Sequence, residues 1–407
     1  MFRLCLAFAI AACSMPGCAQ SQKLLEQPAT TPHPEKYKIT EQKRPPLEWV
    51  MARPVQSYPV YGIYTWFGEY TKLHEQVKKV GWKTLRIGGP VTDENMKLLF
   101  DSGLNFSMFL SKPNPTQPRV KGKGKRDDFD SDEAYIKYRV EMANAFLARF
   151  GEGGSFYKEF PKYKDRYIPF FQIHNEPNFH YMWKAGTEAQ REALYAKLAV
   201  ALQDLIRKRS PKSKVIGFSA GGVGAGDLRF VKHVCEIDPR PLTEVDVFST
   251  HPYVHPAPPE TNKVEKWGSY SIANSLHILR NTFEKYGKKD ITVWYTEGGW
   301  PITHEDGAAY KNPSASVPAN FQAAYAVRYY ATALRLGVDC VTTMFITDTD
   351  GHAGGFFDRL RGMKWRPSAK AVQTMATVMP HPKLVAAQAD GADQTFIYEF
   401  KSHVHQP

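Results

Sequence analysis

Residues 170–178 read Phe-Phe-Gln-Ile-His-Asn-Glu-Pro-Asn, and residues 291–299 read Ile-Thr-Val-Trp-Tyr-Thr-Glu-Gly-Gly. Each stretch starts as a short apolar run rich in aromatic and β-branched residues, which favours a buried strand. Each run ends in a glutamate, Glu176 or Glu297, followed by residues typical of turns. A carboxylate at the end of a buried strand is unfavourable without a partner or a task, so both strand ends predict functional positions.

These two stretches belong to a longer alternation of strand-like and helix-like segments. The strand-like segments are short, nearly continuous apolar runs at 60–66, 84–89, 105–110, 168–174, 214–219, 245–251, 291–296 and 340–346. The helix-like segments carry apolar residues at helical spacing over 71–80, 93–102, 132–150, 187–209, 226–236, 269–286, 319–336 and 366–378. Eight units of each kind predict an α/β fold, a (β/α)8 TIM barrel, over residues 58–380. An open doubly wound sheet would carry a glycine-rich phosphate turn after its first strand, and Gly62 and Gly68 do not form one.

The tail, residues 381–407, predicts a short C-terminal β-hairpin rather than a second domain. Its two strand-like runs, 383–389 and 394–400, flank the turn residues Asp390 and Gly391.

The N-terminus predicts an export signal over residues 1–18. Arg3 is followed by a short apolar run, and small residues then precede Cys13 and Cys18 in contexts that resemble a bacterial lipobox. A lipidated leader and a plainly cleaved leader both remain open. Residues 19–57 are polar and contain several prolines, which predicts a tether before the folded domain. We therefore expect an exported protein that is periplasmic, outer-membrane-anchored or secreted.

The composition favours some classes of binding partner but does not identify a single one. The formal net charge of +12 favours anionic partners such as an acidic polysaccharide, and no nucleic-acid-binding motif occurs. No segment after the leader has the roughly 20 apolar residues that a membrane span requires. Cys235 and Cys340, the cysteines outside the leader, predict two free buried thiols rather than a disulfide. We expect a monomer.

The functional residues of a (β/α)8 barrel lie at the C-terminal ends of its strands. The candidates that this rule selects are Arg86, Asn175, Glu176, His251, Tyr253, Glu297 and Asp348. Trp300, three residues past Glu297, is a further candidate for substrate binding. Two carboxylates facing one cleft are what glycoside hydrolysis requires, one as the acid and one as the nucleophile or base. The set therefore predicts a carbohydrate substrate.

The segment His174-Asn175-Glu176-Pro177 resembles the Asn-Glu-Pro signature of clan A glycoside hydrolases. Together with residues 248–253 and 295–300, it is most similar to glycoside hydrolase family 39 and its endoglycosidase-like bacterial relatives, with family 5 second. The resemblance covers roughly residues 58–380. It implies a retaining enzyme without cofactor or metal, with Glu176 as acid/base and Glu297 as nucleophile.

The same resemblance implies supporting roles for the other candidates. Arg86 would keep Glu297 ionised, and Asn175 would bind the 2-hydroxyl of the sugar. Tyr253 would orient Glu297, with His251 in support. A retaining mechanism also predicts carboxyl groups about 5–5.5 Å apart.

Several alternatives stay open at this point. The barrel could be a catalytically silent carbohydrate-binding protein of a surface-polysaccharide system, or a transglycosylase with the same residues. A metal hydrolase is disfavoured because prolines interrupt the helical spacing of His251 and His255.

The outer parts of the site have two interpretations each. Many clan A enzymes carry a tryptophan after strand 8, where this chain has Phe345-Ile346-Thr347-Asp348, so Asp348 or Asp350 would either bind sugar hydroxyls or cap the loop. Trp66, Trp183 and Trp300 would either stack on sugar rings or pack internally. The basic run 121–126 would either clamp an anionic polysaccharide or form a solvated loop.

Overall fold

The computed structural model describes residues 5–7, 43–54, 60–89, 91–110, 126–179, 186–261, 263–265, 268–303, 316–348, 353–390 and 396–402. At its centre eight parallel strands form a closed barrel, as the alternation of segments predicts. The strands are β1 (Tyr61–Trp66), β2 (Thr84–Gly88), β3 (Asn105–Phe109), β4 (Phe170–Gln172), β5 (Lys214–Gly221), β6 (Val247–His251), β7 (Thr292–Tyr295) and β8 (Cys340–Thr343). Each strand pairs with the next, and β8 pairs with β1, so the barrel has no free edge.

A helix follows every barrel strand, close to the predicted bounds. The helices are α1 (Phe67–Val80), α2 (Asp93–Ser102), α3 (Asp132–Phe150), α4 (Glu188–Arg209), α5 (Ala225–Ile237), α6 (Ile272–Lys285), α7 (Ala319–Arg335) and α8 (Pro367–Val378). Shorter helical pieces occur at Leu47–Ala52, Ser155–Glu159 and Arg240–Thr243, with 3₁₀ turns at Arg126–Asp128 and Pro161–Tyr163. None of these helices within the described ranges is both long and apolar enough to cross a membrane.

Helix α1 illustrates how the sequence builds the outer layer. Phe67, Tyr70, Leu73 and Val77 recur at spacings of three and four, so they share one face of the helix, and all four are buried. Each such side chain stabilises the fold by about 1.5–3 kcal/mol through burial. The helix ends at Gly81, whose φ of 90° is left-handed and suits glycine.

Alternate residues of the strands point into the barrel and form layers. The lowest layer is an apolar cluster of Phe170, Ile216, Val247, Trp294 and Cys340. Residues two positions further along β4 and β6, Gln172 and Ser249, are polar and also buried. The barrel interior thus changes from apolar to polar towards the C-terminal ends of the strands.

The predicted C-terminal hairpin is confirmed: Pro382–Asp390 pairs antiparallel with Phe396–Ser402. The short strand Cys5–Ala7 pairs antiparallel with the second hairpin strand. It lies within the predicted leader, and export stays a prediction. Two further small antiparallel pairs are Lys263–Glu265 with Gly268–Tyr270, and Phe357–Asp358 with Lys364–Trp365.

Part of the predicted tether, residues 43–54, packs against the barrel. Val50 is buried, and the Arg335 guanidinium donates a 3.0 Å hydrogen bond to the carbonyl of Pro45. Arg53 forms an ion pair with Asp339 at 2.7 Å. The folded part of the chain therefore begins before residue 58.

Both cysteines outside the leader are free and buried, as predicted. Burial raises the pKa of the Cys235 thiol to about 12, so it behaves as a small apolar side chain.

Candidate active site

The predicted catalytic residues meet at the C-terminal mouth of the barrel. Glu176 follows β4, His251 ends β6 and Glu297 follows β7, and all three are buried. One oxygen of each glutamate and one nitrogen of His251 lie within 4.8 Å of one another. Residues far apart in the sequence, such as Glu176 and His251, which are 75 positions apart, are thus brought together because parallel strands end at one face.

Charged and polar donors surround the Glu297 carboxylate. An Arg86 Nη1–H donates to Oε1, and the Tyr253 hydroxyl donates to Oε2 at 2.8 Å. The His251 Nδ1 lies 3.6 Å from Oε2. Burial is the largest single influence and raises the pKa of Glu297, but the charges and hydrogen-bond donors around it, Arg86 and Tyr253 among them, outweigh burial. The result is a pKa below the usual range, so Glu297 is an ionised carboxylate at neutral pH.

The Arg86 side chain is held on every side and is fully buried. Its Nε–H donates to Gln172 at 2.8 Å, and an Nη2–H donates to the side-chain oxygen of Asn175. The rings of Tyr64 and Phe109 each lie 4.5 Å from the guanidinium carbon. Stacking between two aromatic faces and a fork of hydrogen bonds fix the position of this charge.

Glu176 has an unusual backbone conformation, with φ of 45° in the left-handed region. Its N–H donates to the carbonyl of Ser219 at 2.9 Å, which helps to hold this conformation. One carboxylate oxygen lies 3.0 Å from His251 Nδ1. A Cβ at Gly221 would come within 2.7 Å of that same oxygen, so glycine is required there. Such local strain is common at functional sites.

Tyr253 remains a hydrogen-bond donor throughout the neutral range. Burial, and then the negative charges of Glu297 and Glu176, raise the pKa of its hydroxyl well above the ordinary value. Its hydroxyl also contacts the sulfur of Met344, which lies at the end of β8. Tyr253 therefore contacts both Glu297, after β7, and Met344, after the neighbouring strand β8.

The described residues contain one group with the spacing of metal ligands, namely Glu176, His251 and Glu297. The Arg86 guanidinium already contacts one oxygen of Glu297. It supplies there the positive charge that a metal ion would otherwise bring, and the absence of a metal stays a prediction.

Two of the predicted substrate-binding residues do not join the cluster. Trp300 is buried, donates its indole N–H to the carbonyl of Ala257 at 2.8 Å, and packs edge-to-face against Tyr325 and Tyr329. The ring is therefore part of the internal packing of this structure, and a role as a sugar platform stays a prediction.

Asp348 forms a buried ion pair instead of facing the site. Both of its oxygens accept hydrogen bonds of 2.7 Å from Arg366, and one also accepts from the N–H groups of Gly354 and Gly355. Burial raises the pKa of Asp348, but Arg366 and the two backbone donors outweigh burial and leave the pKa below its usual value. Asp348 therefore caps the loop after β8, and its role as a sugar-binding residue stays a prediction.

The remaining outer candidates have mixed outcomes. Trp66, at the end of β1, is half-buried with its ring 5.5 Å from that of Tyr64. Trp183, Asp350 and residues 121–125 lie outside the described residues. Arg126, the last residue of the basic run, forms an ion pair with Asp132.

Sequence reasoning missed several residues that shape the site. Gln172 binds Arg86, and its polar side chain within an apolar strand was a usable signal. Thr296 precedes Glu297 and contacts His251 at 3.0 Å, again a polar residue at a strand end. Met344 carries no such signal, because methionine at a strand end normally indicates packing.

Neither a protein-family model nor a curated protein matches this chain. Solved structures do. The GH39 enzyme from Xanthomonas axonopodis pv. citri is 13% identical, with a TM-score of 0.54 over 84% of this chain and 72% of that chain. The monomeric β-xylosidase from Caulobacter crescentus CB15 is 16% identical, with a TM-score of 0.54 over 84% and 73%.

A GH39 β-xylosidase from Caulobacter crescentus is 15% identical, with a TM-score of 0.54 over 91% of this chain and 78% of that chain. At these identities the similarity establishes the barrel fold. The function has to be inferred from the site.

Proposed function

We propose that this chain is a retaining β-glycoside hydrolase, with Glu176 as the acid/base and Glu297 as the nucleophile. One observation carries the proposal: the two glutamates end different barrel strands, and a carboxylate oxygen of one lies within 4.8 Å of a carboxylate oxygen of the other. Retaining enzymes place the two carboxyl groups about 5–5.5 Å apart, whereas inverting enzymes need roughly 6.5–9.5 Å to admit a water molecule.

The first step would be formation of a glycosyl-enzyme. Glu176 gives its proton to the glycosidic oxygen while the ionised Glu297 attacks the anomeric carbon, so that the leaving sugar departs as an alcohol. Arg86 and Tyr253 hold Glu297 in place and keep it ionised. Asn175, whose side-chain oxygen accepts from Arg86, would bind the 2-hydroxyl, a contact that strengthens in the transition state.

The second step would return the enzyme to its starting state. Glu176, now a carboxylate, removes a proton from water, and the oxygen attacks the anomeric carbon and displaces Glu297. The product keeps its original anomeric configuration. A sugar hydroxyl in place of water would give transglycosylation with the same residues.

The proposed substrate is a polysaccharide or oligosaccharide outside the cytoplasm. The β-xylosidase activity in the names of two structural neighbours makes β-xylosides the first substrates to test. The net charge of +12 supports including acidic polymers as well. The N-terminal sequence supports export. Labelling of the wild type and of Cys13→Ala and Cys18→Ala variants with a radioactive fatty acid would test whether the leader is lipidated, and cell fractionation would test export itself.

The test is product release from aryl β-xylosides and a panel of neutral and acidic polysaccharides, with Glu297→Gln as the matched control. Release by the wild type alone would support the proposal, and the product lengths would distinguish endo from exo action. Products longer than the substrate would indicate transglycosylation. Binding without release by either protein would overturn the proposal in favour of a carbohydrate-binding barrel.

A further inference from the structure

A line of buried hydroxyl groups runs beneath His251 on the side away from Glu176. The His251 Nε2 lies 3.0 Å from the Thr296 hydroxyl oxygen. That hydroxyl donates to Ser249 at 3.2 Å, and the Ser249 and Ser219 hydroxyls contact each other. All three hydroxyl-bearing residues are buried, with Ser219 on β5, Ser249 on β6 and Thr296 directly after β7, so these hydrogen bonds are shielded from solvent.

The direction of these hydrogen bonds determines which ring nitrogen of His251 carries a proton. A threonine hydroxyl has one hydrogen, and Thr296 directs it to Ser249. The hydroxyl oxygen of Thr296 must then accept from His251, so Nε2 is the protonated nitrogen. In the neutral ring this leaves the lone pair on Nδ1, which lies 3.0 Å from the Glu176 oxygen.

We propose that Thr296 and Ser249 are positioning residues that hold neutral His251 with its proton on Nε2, so that Nδ1 accepts a hydrogen bond from protonated Glu176. The proposal rests on the proposed function, because it concerns the proton that the acid/base must carry. Hydrogen bonding to the neutral form of a carboxyl group favours that form. The hydrogen-bonded hydroxyl groups thereby favour protonated Glu176 before the first step of the reaction.

The backbone beside these hydroxyl groups has a conformation that places them. A register irregularity lies between Phe218 and Ala220, where β5 pairs with β6, and Ser219 has a φ of 53°. This bulge turns the Ser219 hydroxyl towards Ser249, while the Ser219 carbonyl accepts the N–H of Glu176. Ser219 therefore contacts both Ser249, through its hydroxyl, and Glu176, through its carbonyl.

Four other ionisable groups lie near His251 and Glu176: Glu297, Arg86, Tyr253 and Tyr64. Glu297 lies 3.6 Å from His251 Nδ1, and it is held by Arg86 and Tyr253. The Tyr64 hydroxyl also experiences the charges of both glutamates. These four groups lie away from His251 Nε2, whose contact is the Thr296 hydroxyl. Thr296→Val therefore changes the contact at Nε2 and leaves the four groups in place.

The test compares Thr296→Val, which removes the acceptor, with Thr296→Ser, which keeps it. In Thr296→Val the ring can place its proton on Nδ1 and donate to ionised Glu176, so the acid loses its proton at lower pH. The alkaline limb of the kcat/KM profile should move down by about one pH unit, the effect of one hydrogen bond. Thr296→Ser should restore the wild-type limb. A uniform loss in Thr296→Val with both limbs in place would overturn the proposal.

A second measurement does not depend on activity. The ¹⁵N chemical shifts of His251, assigned by comparison with His251→Gln, distinguish a ring protonated on Nε2 from one protonated on Nδ1. We expect Nε2 protonation in the wild type and in Thr296→Ser, and a mixture in Thr296→Val. An Nδ1-protonated or doubly protonated ring in the wild type at neutral pH would overturn the proposal. An inactive wild type with the expected shifts would instead count against the proposed function alone.

Discussion

Replacement of Arg86 by methionine should destabilise the protein strongly and inactivate it through one cause, the unpaired charge left on Glu297. Arg86 is fully buried, and Glu297 is 7% exposed, so water cannot replace the lost guanidinium. Removing one partner of a buried ion pair costs about 3–5 kcal/mol of unfolding free energy. The loss of a fixed charge beside the nucleophile should lower kcat/KM by roughly 10²- to 10³-fold.

The pH dependence of the loss follows from the pKa of Glu297. In the wild type this pKa lies below the unfolded value, so ionised Glu297 stabilises the fold above the unfolded pKa, and that stability disappears as the pH falls through the folded pKa. In Arg86→Met, burial acts with less opposition and raises the pKa. Protonation at low pH then relieves the penalty, so the stability difference between the two proteins should narrow as the pH falls.

Thermal and chemical unfolding between pH 4 and pH 8 would measure the difference in unfolding free energy between the wild type and Arg86→Met. Two further variants serve as controls. Arg86→Met with Glu297→Gln removes both charges and should recover at least half of the stability lost in the single variant. Arg229→Met removes a surface partner of Glu188, with an expected loss of about 0.2–1 kcal/mol. Additive losses in the double variant, or a gap that is constant with pH, would refute the reasoning.

Two other predictions test individual roles. Glu176→Ala should reduce kcat for substrates with poor leaving groups by orders of magnitude more than for activated aryl glycosides, because only the former need a proton on the departing oxygen; equal losses on both would argue against Glu176 as the acid. Asp348→Asn should lower the unfolding free energy by about 3–5 kcal/mol, since it breaks the buried pair with Arg366, and should leave KM unchanged. A raised KM with normal stability would instead support Asp348 as a sugar-binding residue.

The fold could be predicted from the sequence because the information is local. A buried parallel strand is a short apolar run, and an outer helix has one apolar face. Each element can therefore be recognised from a window of about ten residues. The bounds of α2 and α3 agree with the predicted segments to the residue, and these helices begin after the capping residues Thr92 and Ser131.

The central part of the site could be predicted for a related reason. Arg86 lies within a barrel strand, and Glu176 and Glu297 follow strands whose ends the fold brings together. Trp300 and Asp348 also follow strands, but their side chains turn away from the site. Their side-chain directions depend on contacts with Ala257 and Arg366, which are 43 and 18 positions away and leave no periodic signal in the sequence.

The two glutamates are the same residue type in different surroundings, and this difference decides their roles better than their order in the chain. Glu297 accepts from a guanidinium and from a phenol, two donors that hold a carboxylate ionised and still, as a nucleophile requires. Glu176 instead faces an imidazole nitrogen, a group that can accept or donate a hydrogen bond depending on its tautomer. A residue that must first give up a proton and then take one back needs a neighbour with that property. Exchange of the two roles would require Arg86 to contact Glu176, and the fork from β2 is already occupied by Gln172, Asn175 and Glu297.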